Sequence, residues 1–171
     1  AVENEVKELL WEIEKDFQDD VSVITVNFNK KDAELFQFNL NSENYATLSL
    51  PANFLYEPNS AIMKSGGFTE VANQFLLDKL HPNTHLYTSE ELIEFPGRIF
   101  KIDKILDYSK KAIVENLSHK QANITTRNFP DSVESIRKKW DIKDGGTLYC
   151  FFTTDMNNNK IILLCTKINF K

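Results

Sequence analysis

Apolar residues recur along this chain with two different periods. Val6, Leu9, Leu10, Ile13 and Phe17 fall on one helical face, with Trp11 off it, which predicts a helix over residues 3–17. The period then shortens. Residues 21–28 and 34–40 read as two strands joined by the polar turn Asn29-Lys30-Lys31-Asp32. The polar stretch at 41–44 is a candidate boundary. Beyond it, Pro58 and Asn59 suit a helix start, and one helix is predicted over 60–80 with a bend at Gly66-Gly67. Residues 81–89 read as a turn into a short strand, and "EFPGRIF" (94–100) as a second turn.

The remainder is more regular. Residues 98–106 read as a strand, 109–119 as a helix, 122–129 as a strand and 131–141 as a helix. Pro130 and Asp131 stand at the entrance of that last helix. Gly145-Gly146 then makes a turn that calls for positive φ. Residues 147–155 and 160–169 form a hairpin around the polar loop 156–159. The order β-α-β-α-β-β combines a parallel crossover with an antiparallel hairpin, so a mixed sheet covered by helices is expected. The fold class is α+β, with small mixed sheets and packed helices.

Composition sharpens this into two surroundings. Residues 1–97 hold 6 Lys+Arg and 17 Asp+Glu, a net of −11. Residues 98–171 hold 14 and 8, a net of +6, and the whole chain carries −5. So sharp a change of sign suggests two units with different partners. No apolar run is long enough to span a bilayer. The acidic start lacks the features of a signal peptide, and a chain opening on Ala1 is expected to be part of something longer. Two cysteines, without zinc-ribbon spacing, suggest a reduced, cytoplasmic setting.

Candidate chemistry is sparse. The five glycines make neither G-x-G-x-x-G nor G-x-x-x-x-G-K-[ST], so no nucleotide-type cofactor loop is legible. His81 and His85 are spaced i, i+4 but flank Pro82 in a turn, with no cysteine to complete a metal site; turn structure is the stronger reading. Glu90, Glu91 and Glu94 read as a solvated acidic turn rather than an acid-base pair. If the hairpin loop is symmetric, 155 pairs with 160, and Cys150 faces Cys165 as a pair of small buried thiols. The strongest signal is basic. On the helix at 131–141, Val133, Ile136 and Trp140 form the buried stripe, Lys138 and Lys139 point away from it, and Arg137 flanks it. Arg98, Lys120, Arg127, Asn128 and Lys143 lie at the ends of adjoining elements. Such a cluster can neutralise phosphates, although a solvated helix face accounts for it as well.

Five stretches, "FLYEPNSAIMKSGGF", "LHPNTHLYTS", "EFPGRIF", "ANITTRNFP" and "IRKKWDIKDGG", stand in an order that resembles the C-terminal part of bacterial class I S-adenosylmethionine-dependent methyltransferases carrying a THUMP-like domain. "AVENEVKELL" is similar to the end of such an enzyme's catalytic domain. The resemblance implies residues 1–48 as the tail of that domain, 49–97 as a ferredoxin-like segment and 98–171 as a THUMP-like domain. It implies structured RNA as partner, presented by Arg98, Lys120, Arg127, Asn128, Arg137, Lys138, Lys139 and Lys143. It also implies a catalytic domain preceding residue 1, S-adenosylmethionine as cofactor of the parent protein and none in this chain, and no catalytic residue here, because the methyltransferase motifs are missing. RNA is read largely through shape and phosphates, which a Lys- and Arg-studded surface suits. The alternative is a protein-interaction or oligomerisation module, with residues 1–48 as a possible homodimer interface.

Overall fold

The structure is a computed structural model, and it describes residues 1–30, 32–41 and 44–169. Lys31 of the expected first turn, and Ser42 and Glu43 of the expected boundary, lie outside the described residues. Nine strands and four helices are formed among them. They run β1 (Ser22–Phe28), β2 (Ala33–Asn39), β3 (Phe54–Pro58), α1 (Ser60–Ser65), α2 (Phe68–Phe75), β4 (Asp78–His81), β5 (Thr84–Ser89), β6 (Gly97–Asp107), α3 (Lys110–Asn116), β7 (Asn123–Arg127), α4 (Val133–Trp140), β8 (Leu148–Thr154) and β9 (Lys160–Ile168). β1 and β2 make a two-stranded sheet. The rest make one seven-stranded sheet in the order β4-β5-β3-β6-β9-β8-β7. β7 and β8 are parallel, as the β-α-β order requires, and every other pairing is antiparallel. The fold is thus the expected α+β architecture with mixed pairing.

Three cores follow from strand alternation. Along β8 and β9, Cys150, Phe152, Ile162 and Leu164 face α3 and α4, meeting Ile113, Leu117 and Ile136. Their neighbours Phe151, Ile161, Leu163 and Cys165 turn to the other face and meet Leu55, Leu80, Leu86 and Phe100, all from strands. Both faces are buried, which is why "CFF" and "IILLC" are continuous apolar runs rather than alternating ones. The third core, beneath α1 and α2, takes Tyr56, Ile62, Val71, Tyr87 and Phe95, together with Phe36 and Phe38 from the β1–β2 hairpin. Gly67 lets that hairpin approach, since a Cβ there would lie 2.6 Å from the Phe38 ring. The large sheet curls until its far parts touch. Asn128, just past β7, donates through Nδ2 to Thr84 Oγ1 at 3.2 Å, and the Thr84 hydroxyl donates to the Thr154 carbonyl at 3.2 Å.

Four expectations are corrected. Residues 3–17 form no helix; Leu10 is 96% exposed and Ile13 90%, and a helix needs its apolar face packed to be stable. The helix expected over 60–80 is two short helices ending at Phe75. Leu76 takes left-handed φ (+53°); Leu77 is buried just before β4, and Leu80 is buried within it. The α4 cap is Ser132, whose hydroxyl accepts from Ser135 N at 3.2 Å; Asp131 instead accepts the Tyr108 hydroxyl at 2.7 Å. Finally, the β8–β9 register pairs Thr154 with Lys160, so Cys150 faces Leu164 and Cys165 faces Tyr149. The reason is Asp155. Its Oδ1 accepts from the backbone N–H groups of Asn157 and Asn159 at 2.9 and 2.8 Å, drawing residue 155 into a five-residue loop. One residue of slip puts the two free thiols on opposite faces of the sheet.

Candidate nucleic-acid interface and interdomain cleft

α4 owes its position to Ile136, fully buried, with Val133 and Trp140 packed beside it. The helix ends at Asp141 in left-handed φ. This orientation leaves Lys138 and Lys139 exposed on the outer side. Arg137 points inward along the loop. Its Nη2 donates to the Ala122 carbonyl at 3.1 Å and to Asp144 Oδ1 at 2.5 Å, while Nη1 reaches the Ile142 carbonyl at 3.3 Å. Arg137 therefore holds the 141–146 loop to β7, with its charge met by Asp144. Lys120 and Lys143 are exposed neighbours, because the Lys143 amide donates to the Lys120 carbonyl at 2.9 Å. None of the ion pairs among the described residues uses Lys120, Lys138, Lys139 or Lys143.

Beside α4 lies a hollow of about 300 Å³ lined by Tyr108, Ser109, Lys110, Ile113, Lys139 and Trp140. Lys139 Nζ stands 5.2 Å from the Trp140 ring centre and 6.0 Å from that of Tyr108. Burial and the bond to Asp131 push the Tyr108 hydroxyl above its usual range. Aromatic rings interleaved with lysines can hold a nucleobase and its phosphate together. Tyr108 and Lys110 escaped the sequence reading because no periodicity links the end of β6 to α4; only the fold makes them neighbours.

The remaining expected residues are engaged elsewhere. Asn128 has φ +50° and serves the sheet closure: its carbonyl accepts the Thr154 hydroxyl and its Nδ2 reaches His81 Nδ1 at 3.1 Å. Arg98 and Arg127 converge on Glu57, which is 3% exposed. Arg98 Nε donates to Oε2 at 2.6 Å, and Arg127 Nη2 donates to Oε1 at 2.6 Å. A buried carboxylate needs such partners, and two guanidiniums more than neutralise it. The triad forms the wall of a cleft of about 370 Å³ that Ser60 and Lys64 also line. Sequence reasoning missed Glu57. Its signal was an acid set inside the apolar run "FLYEP", in a strand that had not been assigned.

Residues 54–96 match a ferredoxin-like domain family, and residues 97–167 match a THUMP domain-like family. The boundary between them falls at Gly97, which lies against the Glu57 backbone and directly precedes Arg98 of the cleft wall. Among solved structures, the chain is similar to a protein from Porphyromonas gingivalis W83 described as a "putative methyltransferase", with 33% identity and a TM-score of 0.76. The match covers 87% of this chain and 38% of that protein, so the chain spans well under half the length of its relative. No curated protein matches this chain.

Proposed function

We propose that this chain is the non-catalytic C-terminal region of an S-adenosylmethionine-dependent methyltransferase, and that its THUMP-like half binds and presents a structured RNA. The observation that carries the reading is the unpaired lysine face around α4 with Tyr108 and Trp140 beside it, on the half that matches a THUMP domain-like family. The similarity to part of a longer protein described as a "putative methyltransferase" supports placing the chemistry outside this chain. The glycines agree with that placement. Gly66 and Gly67 join two helices, Gly97 is pressed against the β3 backbone, and Gly145 and Gly146 lie on Gln121. None lies in a glycine-rich loop of the nucleotide-cradling kind, and S-adenosylmethionine is assigned by this reading to the parent protein.

Two consequences can be measured by mobility shift with a structured RNA hairpin. Affinity falls steeply with salt, and Lys138→Glu with Lys139→Glu weakens binding to all sequences alike while lowering the salt slope by about 2. Equal binding by wild type and the double variant removes α4 from the interface. The second reading, a protein-interaction module, is favoured by the exposed Leu9, Leu10, Trp11 and Ile13 of the N-terminal segment. Absence of RNA binding at low salt selects it.

A further inference from the structure

The cleft at the junction of the two matched domains has the makings of a separate ligand site. Its charged wall holds three cations, Arg98, Arg127 and Lys64, against one carboxylate, Glu57, leaving positive charge in excess. Lys64 is exposed and takes part in no ion pair among the described residues. Glu57 fixes both guanidiniums in place, so their remaining N–H groups are held rather than free to turn. Two donors there are shielded and have no hydrogen-bond partner: Arg127 Nε and the Ser60 hydroxyl. Shielded donors without partners are rare in folded proteins, and here both belong to residues lining one cavity. Fixed guanidiniums, an ammonium and a hydroxyl are the donor set that recognises a tetrahedral oxyanion.

We propose that this cleft binds a phosphate group, through Arg98, Arg127, Lys64 and Ser60, with Glu57 as the positioning residue that aligns the arginines. The proposal stands on the cleft alone and does not require the α4 lysines to bind RNA. Two sources share the chemistry, a backbone phosphate of RNA and a free phosphorylated small molecule.

The test follows thermal unfolding of the full chain in sodium phosphate against sodium chloride at matched ionic strength. Phosphate should raise the midpoint saturably where chloride does not. Ser60→Ala removes only a hydroxyl without a partner, and Lys64→Glu changes only an exposed side chain. Both should therefore unfold like wild type in chloride, yet Lys64→Glu should weaken the apparent phosphate affinity by at least about tenfold and Ser60→Ala measurably. A phosphate response no larger than that to chloride, or variants that respond like wild type, overturns the proposal. The RNA hairpin then separates the sources. Parallel loss of RNA affinity in the two variants assigns the backbone phosphate; unchanged RNA affinity with a lost phosphate response assigns a free ligand. Failure of the α4 interface, read from the Lys138 and Lys139 variants, leaves the phosphate response in place.

Discussion

Gly97 sits where the ferredoxin-like and THUMP-like matches meet, and its missing side chain is what allows β6 to lie against β3. A Cβ there would crowd the Glu57 carbonyl and stand 2.9 Å from Asn59 N, both backbone atoms that cannot swing aside. Gly97→Ala should therefore lower stability by about 1–3 kcal/mol, read as a shifted denaturant midpoint with unchanged slope. His85 makes a second prediction. Its ring stacks on Phe68 with centroids 3.5 Å apart, and its Nδ1 is buried without a partner. Burial, then the charges of Lys79 and Arg127, hold its pKa down to about 4 from 6.5. Above pH 6.5 the ring is neutral folded or unfolded and costs nothing. Below 6.5 the unfolded chain takes up the proton and the folded one does not, so stability is lost as pH falls toward 4. Because the ring is partly exposed, the loss by pH 5 should be about 1 kcal/mol, and His85→Gln should remove that component from a pH series of denaturation midpoints. Neither effect was legible in the sequence. "EFPGRIF" marked a turn and "HPNTH" a turn into a strand, but which backbone Gly97 touches and which ring covers His85 depend on partners far along the chain.

Elements were legible where pattern and packing agree. Residues 98–169 gave β-α-β-α-β-β because each helix there has one apolar stripe and each turn its Gly, Pro or polar run, and the structure keeps that order. Ile136 shows the strength of such a stripe. It is fully buried against strands β8 and β9, whereas Val133 is only half-buried. Ile136→Ala should cost about 2–5 kcal/mol and Val133→Ala distinctly less, measured by urea unfolding. Reading failed where local pattern and tertiary demand diverge. Leu77 and Leu80 continue the helical spacing of α2, yet Leu77 is buried in the connection to β4 and Leu80 within β4 itself, because β5 offers that segment a pairing edge. "FLYEP" is an internal strand, paired along its whole length with β6 and through Phe54, Leu55 and Tyr56 with β5, hidden by the helix start that follows it. The thiols misled through a single loop residue. Burial pushes Cys150 up to about 12 and Cys165 beyond the usual thiol range, and their placement on opposite faces follows from the Asp155 loop rather than from any sequence spacing.

At the scale of the whole molecule, apolar surface is unevenly placed. The seven-stranded sheet is covered by helices on its outer side and curled over the core that its strands alone supply, around Leu55, Leu80, Leu86 and Phe100, while the N-terminal part leaves large side chains in water. Leu10, Ile13 and Trp11 are 96%, 90% and 78% exposed, and the outer face of the β1–β2 hairpin shows Ile24, Phe28 and Leu35. The inner face of that hairpin is already committed, through Phe36 and Phe38, to the core beneath α1 and α2. The outer face and residues 9–13 are thus apolar surfaces that nothing in the described chain covers; residues 1–3 bond to the Val26–Phe28 end of β1, and β2 is left as an edge strand open to further pairing. Burying each such side chain is worth roughly 1.5–3 kcal/mol, enough for a few of them to drive association. The isolated chain is therefore expected to self-associate through residues 1–48, most simply as a two-fold dimer. Light scattering after size-exclusion chromatography should give about twice the monomer mass. Leu10→Glu, Trp11→Glu and Ile13→Glu together should return the monomer without unfolding it, since these residues belong to none of the three cores. A wild-type chain that stays monomeric at high concentration would show these residues folding back onto the hairpin instead. In that case the same triple variant should lower the unfolding midpoint of the monomer rather than change its mass.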